Sequence, residues 1–143
     1  MEDKYNLNRF LQAQEGKYAE ALQEIKNGQK VSHWIWYIYP QLEGFGRSHR
    51  SKFYAISGAD EAQAYLAHPT LGARLREITE ALAAHAEGES AKSIRYILGD
   101  IDAMKVKSCM TLFEAISNEE IFGKVLRTMY GNERDIHTLE KLK

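Results

Sequence analysis

The 143 residues are the usual size of one domain and enough to bury a real core, so residues 1–143 are expected to form a single domain. A 44% hydrophobic content, 10% aromatics and only two prolines exclude a disordered chain. Nineteen Lys plus Arg against twenty Asp plus Glu leave a net charge of -1, which argues against a protein that coats nucleic acid.

The single cysteine, Cys109, excludes an intrachain disulfide and fits a reducing compartment. The start, Met1-Glu2-Asp3-Lys4-Tyr5, is charged and has no apolar core of a signal peptide. The longest apolar run, Trp34 to Tyr39, is six residues, against about 20 needed to span a bilayer. A cytoplasmic location without membrane association is the expectation. Sixteen Ala, thirteen Leu and fifteen Glu against three Val and five Thr favour helices; eleven Ile are the contrary signal.

In chain order, Leu7, Phe10 and Leu11 share a helical face after Asn6, a candidate cap, with an end near Gly16. Tyr18, Ala21, Leu22 and Ile25 fall at i, i+3, i+4 and i+7, and Gly28 supplies a stop. Val31 to Pro40 is ambiguous: its aromatics and isoleucines favour a strand, while Ser32 as a cap and Pro40 as a stop favour a short helix. No second β-rich run exists to pair with a strand, so a short buried helix is the better reading.

Gln41 to Arg47, with Gly44 and Gly46, reads as a loop, and Ser48 caps a short helix carrying Phe53, Tyr54 and Ile56. Ser57-Gly58-Ala59-Asp60 has capping-box spacing, with Asp in place of Glu or Gln, before Ala62, Tyr65 and Leu66. His68-Pro69 breaks the chain, and Pro69 suits the first turn of the next helix. That helix carries Leu71, Leu75, Ile78 and Leu82 and is expected to end before Gly88.

A short helix is expected from Ser90 to Leu98 before Gly99. Asp100 opens a longer one through Ile116, with Ile101, Met104, Leu112, Phe113 and Ile116 facing inward. Asn118 caps a helix with Phe122, Val125, Leu126 and Met129 on one face, its charges matched to the dipole and Gly131 as its stop. Asp135 opens a last short helix ending near Leu142. These add up to an all-α, irregular multi-helical domain of about nine or ten helices with no significant sheet.

The run Ser32-His33-Trp34-Ile35-Trp36-Tyr37-Ile38-Tyr39-Pro40-Gln41 resembles the bacterial family known as domain of unknown function 1810. The likeness continues through Gly44-Phe45-Gly46-Arg47-Ser48 and Tyr65-Leu66-Ala67-His68-Pro69-Thr70-Leu71-Gly72-Ala73-Arg74-Leu75. It resumes at Asp102-Ala103-Met104-Lys105 and Ser108-Cys109-Met110-Thr111-Leu112-Phe113 and ends around Tyr130-Gly131, with Arg9-Phe10 and Ala13-Gln14 matching at the N-terminal side. Ile35 stands where many relatives have Met. The resemblance covers nearly the whole chain and implies a compact all-helical fold, but no established reaction. Some members carry the label calpastatin. That inhibitor is a long disordered chain that folds on its target, whereas this composition predicts a domain that folds alone.

Three constellations are candidates for chemistry. In the first, Ser32, His33, Trp34, Trp36, Gln41, Gly44, Gly46, Arg47 and Ser48 combine flat apolar surface, a proton carrier and a glycine loop entering a helix. Backbone N–H groups there can hold an anion, Arg47 can fork onto it, and His33 can shuttle a proton. The plainer alternative makes the glycines turns, Ser48 a cap and the tryptophans core. Gly44-x-Gly46 is neither a Walker loop nor a dinucleotide fingerprint.

The second, His68 to Arg74, reads more simply as a helix start followed by a solvent-facing or ion-paired arginine. In the third, Lys105 one turn before Cys109 suggests a thiolate, but Met110, Leu112 and Phe113 beside it make core filler the better reading. Metal binding lacks local support: histidines 33, 49, 68, 85 and 137 never fall at i, i+3 or i+4. Arg47, His49, Arg50 and Lys52 form a basic cluster that a solvated helix face explains as well as nucleic acid does.

The sequence identifies no cofactor, no catalytic residue and no oligomeric state. Two functions stay open: binding of a small anionic or nucleotide-like ligand, and a noncatalytic protein-interaction domain. Convergence of His33, Gln41, Arg47 and Ser48 on one pocket favours the first; scatter favours the second.

Overall fold

Two amphipathic helices organise the chain because each has a full apolar stripe to bury. In the computed structural model, which describes residues 3–87 and 91–143, α6 (Leu71–Ala83) buries Leu71, Leu75, Ile78 and Leu82 as its i, i+4, i+7 and i+11 spacing predicts. The longest helix, α8 (Asp100–Ala115), is buried nearly all round its C-terminal half, from Ser108 to Phe113. The other described helices are α1 (Asn8–Gln14), α2 (Tyr18–Asn27), α3 (Ile35–Ile38), α4 (His49–Phe53), α5 (Ala59–Ala67), α7 (Ile94–Leu98), α9 (Glu120–Met129) and α10 (Ile136–Lys141). A 3-10 turn over Ala84–Ala86 extends α6.

α6 packs on α2, α5 and α9, while α8 packs on α5, α7, α9 and α10. One apolar core runs through the other helices, with α4 and α10 at its edge. Trp34, Leu75 and Phe113 are fully buried in it; of the two tryptophans that the sequence offers for this core, it is Trp34 that enters. The fold is all-α; among the described residues the only β feature is an isolated parallel bridge between Leu42 and Ile56. No helix among them is long and apolar enough to cross a membrane.

Several local expectations are displaced. Asp3, not Asn6, caps the first helix: its carboxylate accepts the Leu7 and Asn8 N–H groups at 2.7 and 2.8 Å, which hold it below the usual aspartate range. Glu61, one residue beyond Asp60, reaches back to the Ser57 N–H at 3.0 Å. The first residue of α9 is Glu120, and Asn118 makes no cap; Ser117 Oγ accepts the Glu119 N–H instead. Ile56 lies beyond α4, in the bridge to Leu42. Ser93 rather than an earlier serine caps α7, accepting the Tyr96 N–H at 3.1 Å; Ser90 and Gly88 lie outside the described residues.

The inward positions of Ile101 and Met104 are also corrected. They are 72% and 71% exposed, because α8 turns Ala103, Val106, Met110 and Phe113 to the core along i, i+3, i+7 and i+10.

One buried ion pair ties the N-terminal helices to the rest. Arg9 Nη2 lies 2.7 Å from Glu61 Oε2. The same guanidinium donates to the carbonyls of Tyr5, Asn6, Phe53 and Ala55, so all its N–H groups point at acceptors.

Candidate functional site

The four-residue α3 buries Ile35 and Ile38, with Tyr39 just beyond, so its one-turn geometry sets Trp36 on the flank, half-buried. The following loop is pinned at its entry. Ile56 N–H donates to the Gln41 carbonyl and Glu43 N–H to the Ile56 carbonyl, each at 2.9 Å. Gly44 then takes φ +97°, a conformation that disfavours any side chain. A Cβ on Gly46 would lie 2.3 Å from Ser51 Cβ, so glycine is required for the loop to close on α4.

Two clefts open beside this loop, sharing Gln41 and Lys105. The narrow one, about 10 Å³, lies among Trp36, Gln41, Ser51, Tyr54 and Lys105. The wide one, about 350 Å³, is bounded by Phe45, by Ile101, Met104, Lys105, Lys107 and Ser108 of α8, and by Asp135 and His137 at the start of α10. Past Phe45 and His137 the surface continues as a shallow cleft along Gly44, Glu140 and Lys141.

Hydrogen bonds hold α10 against α8. Asp135 N–H donates to Thr111 Oγ1 at 3.0 Å, and Ser108 and Thr138 hydroxyls both donate to Asp135 Oδ2, at 2.8 and 2.5 Å. Asp135 Oδ1 makes no hydrogen bond among the described residues.

Charge gathers where the clefts meet. The Arg50 guanidinium lies 5.0 Å from the Trp36 ring centroid, and the Lys105 ammonium 5.3 Å from it. Lys105 approaches Asp102 only to 4.0 Å, and Asp102 is held more closely by Lys30, at 2.9 Å. Lys107 is paired with Glu133 at 3.1 Å.

The structure brings together part of the constellation read from the sequence. Trp36 and Gln41 line the clefts, Gly44 lines the shallow extension and Gly46 packs on the cleft residue Ser51. Ser32, His33 and Trp34 lie elsewhere, on the side of α3 toward α2. Ser32 N–H and Trp34 Nε1 donate to Glu24 Oε1 at 2.9 and 3.0 Å, Trp34 is a core residue, and His33 is exposed. Arg47 is exposed and outside the lining of both clefts. Ser48 Oγ accepts the Ser51 N–H at 3.1 Å as the cap of α4. Of His33, Gln41, Arg47 and Ser48, only Gln41 lines these clefts; the four scatter, which counts toward an interaction domain, so a ligand site here rests on other residues, Lys105 above all.

The residues missed by sequence reading are Phe45, Ser51, Lys107, Ser108, Asp135 and His137, with Ile101, Met104 and Lys105 in unforeseen roles. A signal existed for one wall: Ile101 and Met104 fall off the core stripe of α8 and so need another reason to be apolar.

The other two constellations resolve as local structure. His68 Nδ1 accepts the Thr70 and Leu71 N–H groups at 3.1 and 3.2 Å, while Arg74 donates to Gln14 Oε1 at 3.1 Å and lies over the Tyr18 ring. Cys109 is fully buried, which pushes its thiol well above the usual range and opposes a thiolate.

The profile of the family described as "Protein of unknown function (DUF1810)" matches residues 4–142. The chain is similar to the conserved hypothetical protein Rv1873 from Mycobacterium tuberculosis, whose crystal structure superposes with a TM-score of 0.92 at 38% identity over 98% of each chain. None of the curated proteins matches. A match across nearly all of the chain and a shared fold at this identity agree with the motifs from Arg9 to Gly131, and the chain belongs to the DUF1810 family, whose function is unknown.

Proposed function

We propose that the chain binds a small anionic ligand where the two clefts meet. One observation carries this reading: Lys105 borders both clefts with its only ion-pair partner among the described residues at 4.0 Å, and it shares the Trp36 ring with Arg50, which lies outside the lining of both. Two cations set over one indole, next to an amide and a hydroxyl, are groups that recognise an anion. Nothing in the arrangement identifies a bond to be broken, so binding rather than a reaction is proposed. A cytoplasmic setting belongs to the same reading, since a lone buried cysteine suits a reducing compartment.

The test is thermal unfolding with inorganic phosphate, pyrophosphate and citrate. A ligand that binds only the folded state raises the midpoint by mass action. At least one of these anions is expected to raise it in the wild type and not in Lys105→Ala. No rise, or an equal rise in the variant, would overturn the proposal.

A second reading, a protein-interaction domain, draws support from the exposed apolar residues Ile101, Met104 and Tyr96. Concentration-dependent self-association in sedimentation experiments, lost in Met104→Glu, would favour it over anion binding.

A further inference from the structure

We propose, resting on the anion site above, that its ligand is a nucleoside 5′-monophosphate. The cleft is polarised along its length. At the narrow end, Lys105 and Trp36 border a space of about 10 Å³, roughly one water-sized group, and Arg50 lies over the same ring outside the lining. An oxygen of an anion fits there and nothing larger does. At the wide end, about 350 Å³ admits a ring system.

Of the basic groups bordering the wide end, Lys105 is shared with the narrow end, Lys107 is paired with Glu133, and His137 stands beside them. The wide end also carries the Asp135 carboxylate, whose Oδ2 is occupied by two hydroxyls and whose Oδ1 is without a hydrogen bond among the described residues. A carboxylate repels a second anionic group and calls for a hydrogen-bond donor. Phe45 and Met104 supply flat and adaptable apolar surface beside it.

The ligand is therefore anionic at one end, planar and rich in donors at the other, with a short polar connector. Gln41 borders both clefts at the point the connector would cross, offering an amide donor and an acceptor. A phosphate, a pentose and a base meet these demands in the right order. One phosphate, with a charge of about -1.5 to -2, matches two cations. A triphosphate exceeds them, because the next lysine, Lys107, is already paired with Glu133.

Calorimetric titration of the full chain tests the assignment. The probes are the four common ribonucleoside 5′-monophosphates, their parent nucleosides, ribose 5-phosphate and inorganic phosphate. At least one nucleotide is expected to bind roughly tenfold tighter than both ribose 5-phosphate and its own nucleoside, the scale of one base–aromatic stack or one charge-assisted contact. Lys105→Ala and Arg50→Ala should bring nucleotide affinity down to that of the nucleoside. Phe45→Leu, which keeps the apolar packing and removes the ring, should bring it toward that of ribose 5-phosphate.

Nucleotides binding no tighter than ribose 5-phosphate, with phosphate binding still dependent on Lys105, would overturn the nucleotide and leave the anion site standing. Nucleotide binding indifferent to Lys105 and Arg50 would overturn the placement. Absence of binding by every anion would overturn both this proposal and the one it rests on.

Discussion

Glu24 of α2 accepts the indole N–H of Trp34 at 3.0 Å, joining α2 to the entry of α3 through a carboxylate that is almost entirely buried. The same carboxylate accepts the Val31 and Ser32 N–H groups and the Ser32 hydroxyl, at 2.7, 2.9 and 2.7 Å. Hydrogen bonds to a charged acceptor are worth about 1.5–3 kcal/mol each, roughly twice their neutral counterparts. Glu24→Gln keeps the shape and loses the charge, and should lower stability by about 1–2 kcal/mol in urea unfolding at pH 7. Glu24→Ala, which takes the acceptor from the Val31 and Ser32 N–H groups and the Trp34 indole and leaves the Ser32 hydroxyl to Glu20, should cost more.

Acid should reveal the same group. Burial raises the pKa of Glu24, but the bonds from Ser32, Val31 and Trp34 outweigh it and hold the carboxyl at about 2, against an ordinary value of 4.5. A folded-state pKa below the unfolded one adds stability that is fully present above pH 4.5 and lost as pH falls toward 2. Glu119, held low by its bond with Arg76, acts in the same direction. Unfolding followed between pH 6 and pH 2, both approximate bounds, should show a shallower acid loss in Glu24→Gln than in the wild type. Parallel curves would contradict the account.

Local periodicity made much of the fold legible. Leu71, Leu75, Ile78 and Leu82 repeat at helical spacing, and all four are buried. The same logic failed at Ile101 and Met104, because a stripe read from the sequence does not say which of two apolar faces meets the core. The clefts were harder still. Trp36, Lys105 and His137 come from α3, α8 and α10, and only tertiary packing sets them side by side. The motif Ser32 to Gln41 looked like one unit but is divided by a single helical turn. Ser32 and Trp34 bind Glu24, while Trp36 and Gln41 turn to the clefts.

Cys109 should resist thiol reagents in the native state. It is fully buried among core residues of α8, and burial opposes the thiolate that would react. Labelling should be negligible without denaturant and complete in guanidinium. Rapid native labelling would show that the C-terminal half of α8 opens readily.

Arg9 should be among the most sensitive positions in the chain. Arg9→Ala leaves the Glu61 carboxylate buried without its cation and takes the donor from the Tyr5, Phe53 and Ala55 carbonyls, and removing one partner of a buried pair typically costs about 3–5 kcal/mol. The double variant Arg9→Met with Glu61→Gln should recover part of that loss in denaturant unfolding, because the uncompensated charge is gone.

The two tryptophans, two residues apart, should answer differently to the same substitution. Trp34 is 1% exposed, packs against Tyr39 and bonds to Glu24, so Trp34→Ala opens a large cavity and orphans part of a buried carboxylate. Its expected cost is about 3–5 kcal/mol. Trp36 is half-buried and meets the charged groups of Arg50 and Lys105, so Trp36→Ala removes less packing and should cost distinctly less. Binding should separate them in the opposite sense. Trp36→Ala should abolish anion-dependent stabilisation in a folded protein, since the indole orients both cations. Trp34→Ala, at a temperature where it remains folded, should retain it. Equal losses of stability would mean that Trp36 is as much a core residue as Trp34. Intact anion binding in Trp36→Ala would mean that Arg50 and Lys105 keep their geometry without the ring.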